Sequence, residues 1–182
     1  MRTILDVENT VTTRDGKLHL DPFESDNSLT MIGYGDADTD EKPSISVFDH
    51  AERQSDTKDV VQGVLDKTTL LIMHNAQHDL QWLWACGFKY EGKIYDTMLA
   101  EYVLARGLKR KLSLNDCAER YNLRWTKQDT LKEYFKKGYS TRDIPILELC
   151  FYLDADIEVT RELFKTLEHK YEDKENHSLH KV

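Results

Sequence analysis

The chain has 182 residues, of which 40% are hydrophobic and 32% charged, with a formal net charge of -8. That length and apolar content exclude a disordered chain and suit one domain with a real core, so residues 1–182 are expected to form a single domain with a charged tail over about 168–182. The acidity excludes a general polyanion-binding surface, but not a nucleic-acid enzyme, because a carboxylate metal site adds negative charge until it is loaded.

"RTILDV" is a short apolar run and predicts a first strand. "SLTMIGYGD" and the alternating "SISVFDH" predict two more, with polar "DADTDEKPS" as the turn between them. The first fifty residues therefore read as three consecutive strands, antiparallel neighbours. "SDTKDVVQGVLDK" then predicts a helix capped by Ser55 or Asp56, with Val60, Val61, Val64 and Leu65 as its apolar positions. "TTLLIMHN" reads as a buried strand, and "AQHDLQWLWAC" as a helix that Gly87 ends. "KIYD" is a short strand whose Asp96 caps the helix "TMLAEYVLA". From Ser113 the chain is mostly helical: "SLNDCAERY", "TLKEYFKKG", then a long helix from about Pro145, where a proline fits the first turn. Strands, then alternating strands and helices, then helices predict an α/β domain with a mixed central sheet flanked by α-helices. The final "HKYEDKENHSLHKV" reads as a fraying helix end or a severed linker.

Cys86, Cys117 and Cys150 are odd in number and form no CxxC pair. They suit small core positions of a reducing compartment, not a zinc site or a disulfide frame. With no long apolar run and no signal-peptide pattern, the expected location is cytoplasmic (a host cytoplasm if the protein is viral) and no membrane is expected as a partner.

Three stretches place acids where apolar residues are expected. Asp6 and Glu8 lie two apart on the first strand and so share a face, while Leu5 and Val7 point the other way. They sit at the strand's C-terminal end, where open α/β sheets place their sites. Taken alone, D-x-E is equally an exposed strand end. In "HNAQHDLQWL", Asn75 is placed as an N-cap and Asp79 lies one turn on, in a helix rich in Leu and Trp. An acid there is costly unless it is paired or near a metal; otherwise it occupies an exposed stripe. In "LCFYLDADIEVTRELF", Tyr152 and Asp156 share a helical face with Val159 and Leu163, and Asp154 and Glu158 fall on other faces, where solvation is expected. Together the stretches supply four carboxylates. Hard divalent ions such as Mg²⁺ take such oxygen ligands, and two ions roughly 3.5–4 Å apart can activate water and stabilise the leaving oxygen of a phosphodiester.

The set "LDVEN", "HNAQHD" and "YLDAD" resembles the three exonuclease motifs of the DEDD superfamily, in its Tyr-containing branch. The His-containing branch has His five residues before the last Asp; that position is Phe151 here, and Tyr152 lies four before Asp156. "YDTMLAEYVLARGLKRKLSLNDCAERYNL" and "KKGYSTRDIPILELCFYLDADIEVTRELF" are similar to the proofreading exonuclease domain of family A DNA polymerases, bacteriophage members included. The resemblance implies an RNase H-like fold whose second strand runs antiparallel to the first. It implies two divalent metal ions, Mg²⁺ or Mn²⁺: Asp6, Glu8 and Asp156 hold the one that carries the attacking water, and Asp6 bridges to the second, which Asp79 reaches through water. It implies that Tyr152 orients that water and that Asn75 lies beside the bound 3′ strand. His78 departs from the usual Tyr or Phe before the motif's Asp and is expected beside the substrate, either packed against the same neighbours, the favoured reading, or hydrogen-bonding at the site; Asn9 follows Glu8 where Thr is common, with Thr10 close by to serve instead.

The implied activity is 3′-5′ exonucleolytic proofreading in DNA replication, on a single-stranded or frayed DNA 3′ end, with a DNA polymerase domain or chain as partner. Lys109, Arg110 and Lys111 are candidates for the phosphate backbone and Lys136 and Lys137 a second pair, although short basic runs are commonly just solvated. The rivals are an RNase D-type exoribonuclease, which shares the motifs, and a catalytically silent module that docks a polymerase.

Overall fold

The computed structural model describes residues 1–15, 17–124 and 131–172. In chain order the strands are β1 (Arg2–Asn9), β2 (Thr12–Arg14), β3 (Lys17–His19), β4 (Leu29–Asp36), β5 (Ser44–Val47), β6 (Leu70–Met73) and β7 (Lys93–Asp96). The helices are α1 (Lys58–Leu65), α2 (Ala76–Ala85), α3 (Thr97–Leu104), α4 (Leu114–Tyr121), α5 (Leu131–Lys136) and α6 (Ile146–Glu172).

Five strands form a mixed sheet in the order β5-β4-β1-β6-β7. β4 runs antiparallel to β1 and β5 antiparallel to β4, whereas β6 and β7 join parallel. The expected antiparallel second strand of the sheet is therefore present, but it is not consecutive. A small hairpin, β2–β3, lies between β1 and β4 and forms its own two-stranded sheet. The Asp15-Gly16 dipeptide was its sequence signal; the three-residue strands are too short to show a period.

Side-chain alternation divides the core. Leu5, Val7 and Ile32 face one way, onto Val61 and Leu65 of α1 and Leu80, Trp82 and Leu83 of α2. The opposite face carries Ile4, Met31 and Val47, covered by Leu149, Leu153, Ile157 and Phe164 of α6. A second side of α6, with Val159, Leu163 and Leu167, packs on Ala100 of α3 and Cys117 and Ala118 of α4. Burial on two sides leaves α6 little free surface. This overturns the expectation of solvated Asp154 and Glu158: both are half-buried, with Lys42 3.5 Å from Asp154 and the guanidinium of buried Arg161 2.6 Å from Glu158.

Two glycines set how closely α6 approaches. Gly33 and Gly35 of β4 pair with Asp6 and Ile4 of β1 and share their face. A Cβ at Gly33 would lie 2.7 Å from Leu153 Cγ, and one at Gly35 would lie 2.7 Å from Arg161 Nη2.

Helix ends follow local chemistry with two corrections. Gly87 ends α2 in the left-handed region with its N–H and that of Phe88 on Trp84 and Leu83 carbonyls, as expected. The N-cap of α1 is Thr57, not Ser55 or Asp56. Ser55 instead donates to Phe48 O, and Asp56 accepts the Val47 N–H and pairs with Arg53. Asn75 occupies the N-cap position of α2 but its side chain caps nothing. Asp96 takes that role, accepting the N–H groups of Asn75 and Ala76 as well as those of Met98 and Leu99 at the start of α3. Residues 173–182, most of the charged tail, lie outside the described residues; 168–172 continue α6. Among the described residues no helix is long and apolar enough to cross a membrane.

Candidate active site

The sheet opens where the acids begin. β1 pairs with β6 only from Arg2 to Ile4, whereas its pairing with β4 runs on to Asn9, with an irregularity after Glu8. The outer half of β1 therefore has one unpaired edge, and the first turn of α2 lies against it. Asp6 and Glu8 continue the face of Ile4, toward α6. There they meet Asp156, which is 3% exposed. One carboxylate oxygen from each of Asp6, Glu8 and Asp156 lies within 4.8 Å of the others.

Asp79 is the fourth acid and stands beside this group rather than within it. It is 2% exposed, accepts a hydrogen bond from the Val7 backbone, and its Oδ2 has no hydrogen-bond partner among the described residues. Burial, and then the charges of Asp6, Glu8 and Asp96, push its carboxyl well above the ordinary carboxylate range. An all-oxygen donor set with one buried orphan oxygen fits a hard divalent cation. The linkage has a definite sign. An acid raised in the folded state contributes stability that is full below its unfolded value, about 3.9, and is lost as pH rises through the folded value. Asp79→Asn is therefore expected to melt higher than the unsubstituted protein at about pH 7 in EDTA, with the gap closing near pH 4, as thermal scans across pH will read.

The two departures noted in the sequence prove to be one contact. Asn9 Nδ2 donates to Thr10 O at 2.7 Å, so its Oδ1 is left as the acceptor for His78 Nε2 at 2.9 Å. Burial lowers the His78 pKa, consistent with a neutral ring that donates from Nε2. The pair ties the residue after Glu8 to the residue before Asp79. His78→Phe and Asn9→Ala are each expected to destabilise, and the double variant to lose less than their sum. The expected coupling is about 1 kcal/mol in a urea double-mutant cycle.

The remaining expected residues fall into place unevenly. Tyr152 is half-buried one turn before Asp156, against the Met31–Leu153 cluster. Thr10 is buried, with its hydroxyl accepting the Ser28 N–H at 2.7 Å, so it is engaged within the fold. Asn75 is exposed, with φ 71°. Lys109, Arg110 and Lys111 are exposed in the α3–α4 loop. That loop is held by His74 Nε2 on Leu112 O at 2.9 Å and by Arg120, which bonds Lys111 O and the fully buried Glu101. Lys136 and Lys137 are exposed at the end of α5.

The sequence reading did not find the surroundings of the site. On one side Asn9 and Val11 border a cavity of about 370 Å³ with Phe135, Tyr139 and Thr141. On the other, Asn75 and His78 border one of about 590 Å³ with Leu20 and Phe23.

The profile of the 3′-5′ exonuclease family matches residues 19–172. The chain belongs to this family. Membership places it in the DEDD superfamily of divalent-metal nucleases. The matched span begins after Asp6 and Glu8, so those two enter the site on geometry. No curated protein sequence matches the chain. Among solved structures, the apo form of a nuclease superposes with a TM-score of 0.69 at 15% identity, covering 96% of this chain and 75% of that one. NrnC from Brucella melitensis with bound Mg²⁺ gives 0.64 at 17% identity, covering 97% and 76%. The same protein bound to pGG gives 0.66 at 17%, with the same coverage. The exonuclease fold is thus RNase H-like, as the motifs implied.

Proposed function

We propose that the protein is a metal-dependent 3′-5′ exodeoxyribonuclease of the Tyr-containing branch. It hydrolyses the terminal phosphodiester of single-stranded or frayed DNA 3′ ends and releases nucleoside 5′-monophosphates. The observation that carries this is the convergence of Asp6, Glu8 and Asp156 oxygens within 4.8 Å in a 3′-5′ exonuclease-family chain. Asp6, Glu8 and Asp156 would hold one divalent ion, and Asp6 the second, which Asp79 would reach through water. When bound, such a pair lowers the pKa of water and stabilises the leaving 3′ oxygen. The chain's own part is placement: the Tyr152 hydroxyl orients the water, and Asn75 lies beside the terminal nucleotides. Lys109, Arg110 and Lys111 meet the phosphate backbone. The DNA preference and a polymerase partner rest on the similarity of residues 95–123 to the proofreading domain of family A DNA polymerases and of residues 136–164 to its bacteriophage members.

A second reading, an RNase D-like exoribonuclease, is favoured by NrnC, whose structure is bound to pGG. The test is a 5′-labelled single-stranded DNA beside an RNA of the same sequence, with Mg²⁺ or Mn²⁺ and with EDTA. A metal-dependent ladder from the DNA 3′ end with RNA spared supports the first reading. Equal or better cutting of RNA supports the second, and cutting of neither substrate overturns both.

A further inference from the structure

The hairpin between β1 and β4 is not needed to close the sheet. The segment after it nevertheless holds Leu20 and Phe23 in water, 48% and 79% exposed. It is held in shape by its own hydrogen bonds. Asn27 Nδ2 donates to His19 O and Asp21 O, both at 3.0 Å, while Thr12 donates to Asn27 Oδ1 at 2.6 Å. Asp21 accepts the Phe23 N–H at 2.9 Å, which fixes the backbone turn that carries that ring. A segment so secured does not leave a phenyl ring exposed for want of order.

What faces Leu20 and Phe23 across the cavity is Asn75, at the N-cap position of α2, with Gln77, His78 and Gln81 of the helix itself. One wall sets the apolar Leu20 and Phe23 around Asp21, whose carboxylate is engaged by the Phe23 N–H, and the other carries amides and an imidazole, groups that both donate and accept. A nucleobase has that pair of requirements, a π-face to stack and an edge to hydrogen-bond. Asp79 follows His78 in α2 but is buried and does not line the cavity. Amides satisfy any base edge by rotating, so this wall grips without reading sequence.

Building on the exonuclease reading, we infer that the Leu20–Phe23 segment and α2 form a base-binding subsite that holds one unpaired base of the substrate strand, stacked on Phe23. The Asn9–His78 hydrogen bond stands between this subsite and the cavity beside Phe135, so the strand crosses it in passing the carboxylates.

The test uses fluorescence anisotropy of a short single-stranded DNA with uncleavable phosphorothioate links at its 3′ end, in Mg²⁺. Abasic residues are placed one at a time over the last four positions. Base–aromatic stacking contributes ~1–3 kcal/mol, so Phe23→Ala is expected to weaken binding of the intact strand by about 10-fold or more. One abasic position should weaken the unsubstituted protein similarly and show no further loss in Phe23→Ala. Phe23 is exposed, so this variant keeps its fold, and an unchanged thermal melt checks that. Equal binding by Phe23→Ala, or a loss that is the same whichever base is missing, overturns the subsite. Binding with the expected pattern but no cleavage of ordinary DNA or RNA would instead overturn the exonuclease reading and leave the subsite standing.

Discussion

Asp156→Ala is expected to lower the cleavage rate by at least ~10²–10³-fold, the loss seen when a group stabilising transition-state charge is removed. The structure separates this loss from unfolding. Asp156 is a buried acid whose neighbours are Asp6 and Glu8, so removing it relieves like-charge repulsion in the metal-free protein. The variant should therefore melt no lower than the unsubstituted protein in EDTA. Mg²⁺ should raise the melting temperature of the unsubstituted protein only, since a ligand at 100 times its Kd stabilises by about 2.7 kcal/mol. Asp6→Ala should behave in the same way. Single-turnover cleavage and paired melts with and without Mg²⁺ measure both quantities, and near-normal cleavage by either variant would remove these residues from the mechanism.

Gly33→Ala is expected to be nearly as damaging, although the residue carries no chemistry. Its Cβ would meet Leu153 Cγ at 2.7 Å and both Leu153 methyl carbons at 3.1 Å, and Leu153 is fully buried in the cluster under α6. Overpacking of this kind costs ~1–3 kcal/mol. The larger effect is on geometry. Leu153 is three residues before Asp156 on α6, and Gly33 is the register partner of Asp6. Lifting the helix separates one carboxylate of the cluster from the other two, and displacement by about 1 Å can cost ~10²-fold in rate. Gly63 is the control, because a Cβ there meets nothing within 4 Å and the residue lies inside α1. Gly63→Ala should stabilise by about 0.4–1 kcal/mol and leave cleavage unchanged. If Gly33→Ala binds Mg²⁺ and cuts as the unsubstituted protein does at a temperature where both are folded, the close approach has no functional role.

The main elements were legible because each has a pattern or a punctuating residue: the apolar run of β1, the alternation of β5, Gly87 after α2, Asp96 before α3 and Pro145 before α6. The acids were legible because Asp6, Asp79 and Asp156 each interrupt an apolar pattern. What the sequence hid depends on contacts between distant segments. The spacing of Asn75 suggests a cap, but it is the Asp96 carboxylate, from 21 residues away, that accepts N–H groups at the start of α2. The faces of Asp154 and Glu158 look solvated on an isolated helix, whereas Lys42 and Arg161 and a second packing partner enclose them. His78 and Asn9 look like separate oddities until the fold brings two residues 69 apart into one hydrogen bond. Glycines in β4 look like weak strand residues until a helix is laid over them.

Asp96 closes two helices at once, from the last residue of an edge strand. α2, which carries Asp79, therefore has its first turn latched to β7 and α3 rather than secured by its own residues. A fluctuation that frays this edge releases both helix starts together, so the amide protons of Ala76 and Met98 should exchange with solvent at matched rates. The placement of Asp79 is thereby tied to the rim of the sheet, to a strand that contributes no residue to the Asp6–Glu8–Asp156 cluster.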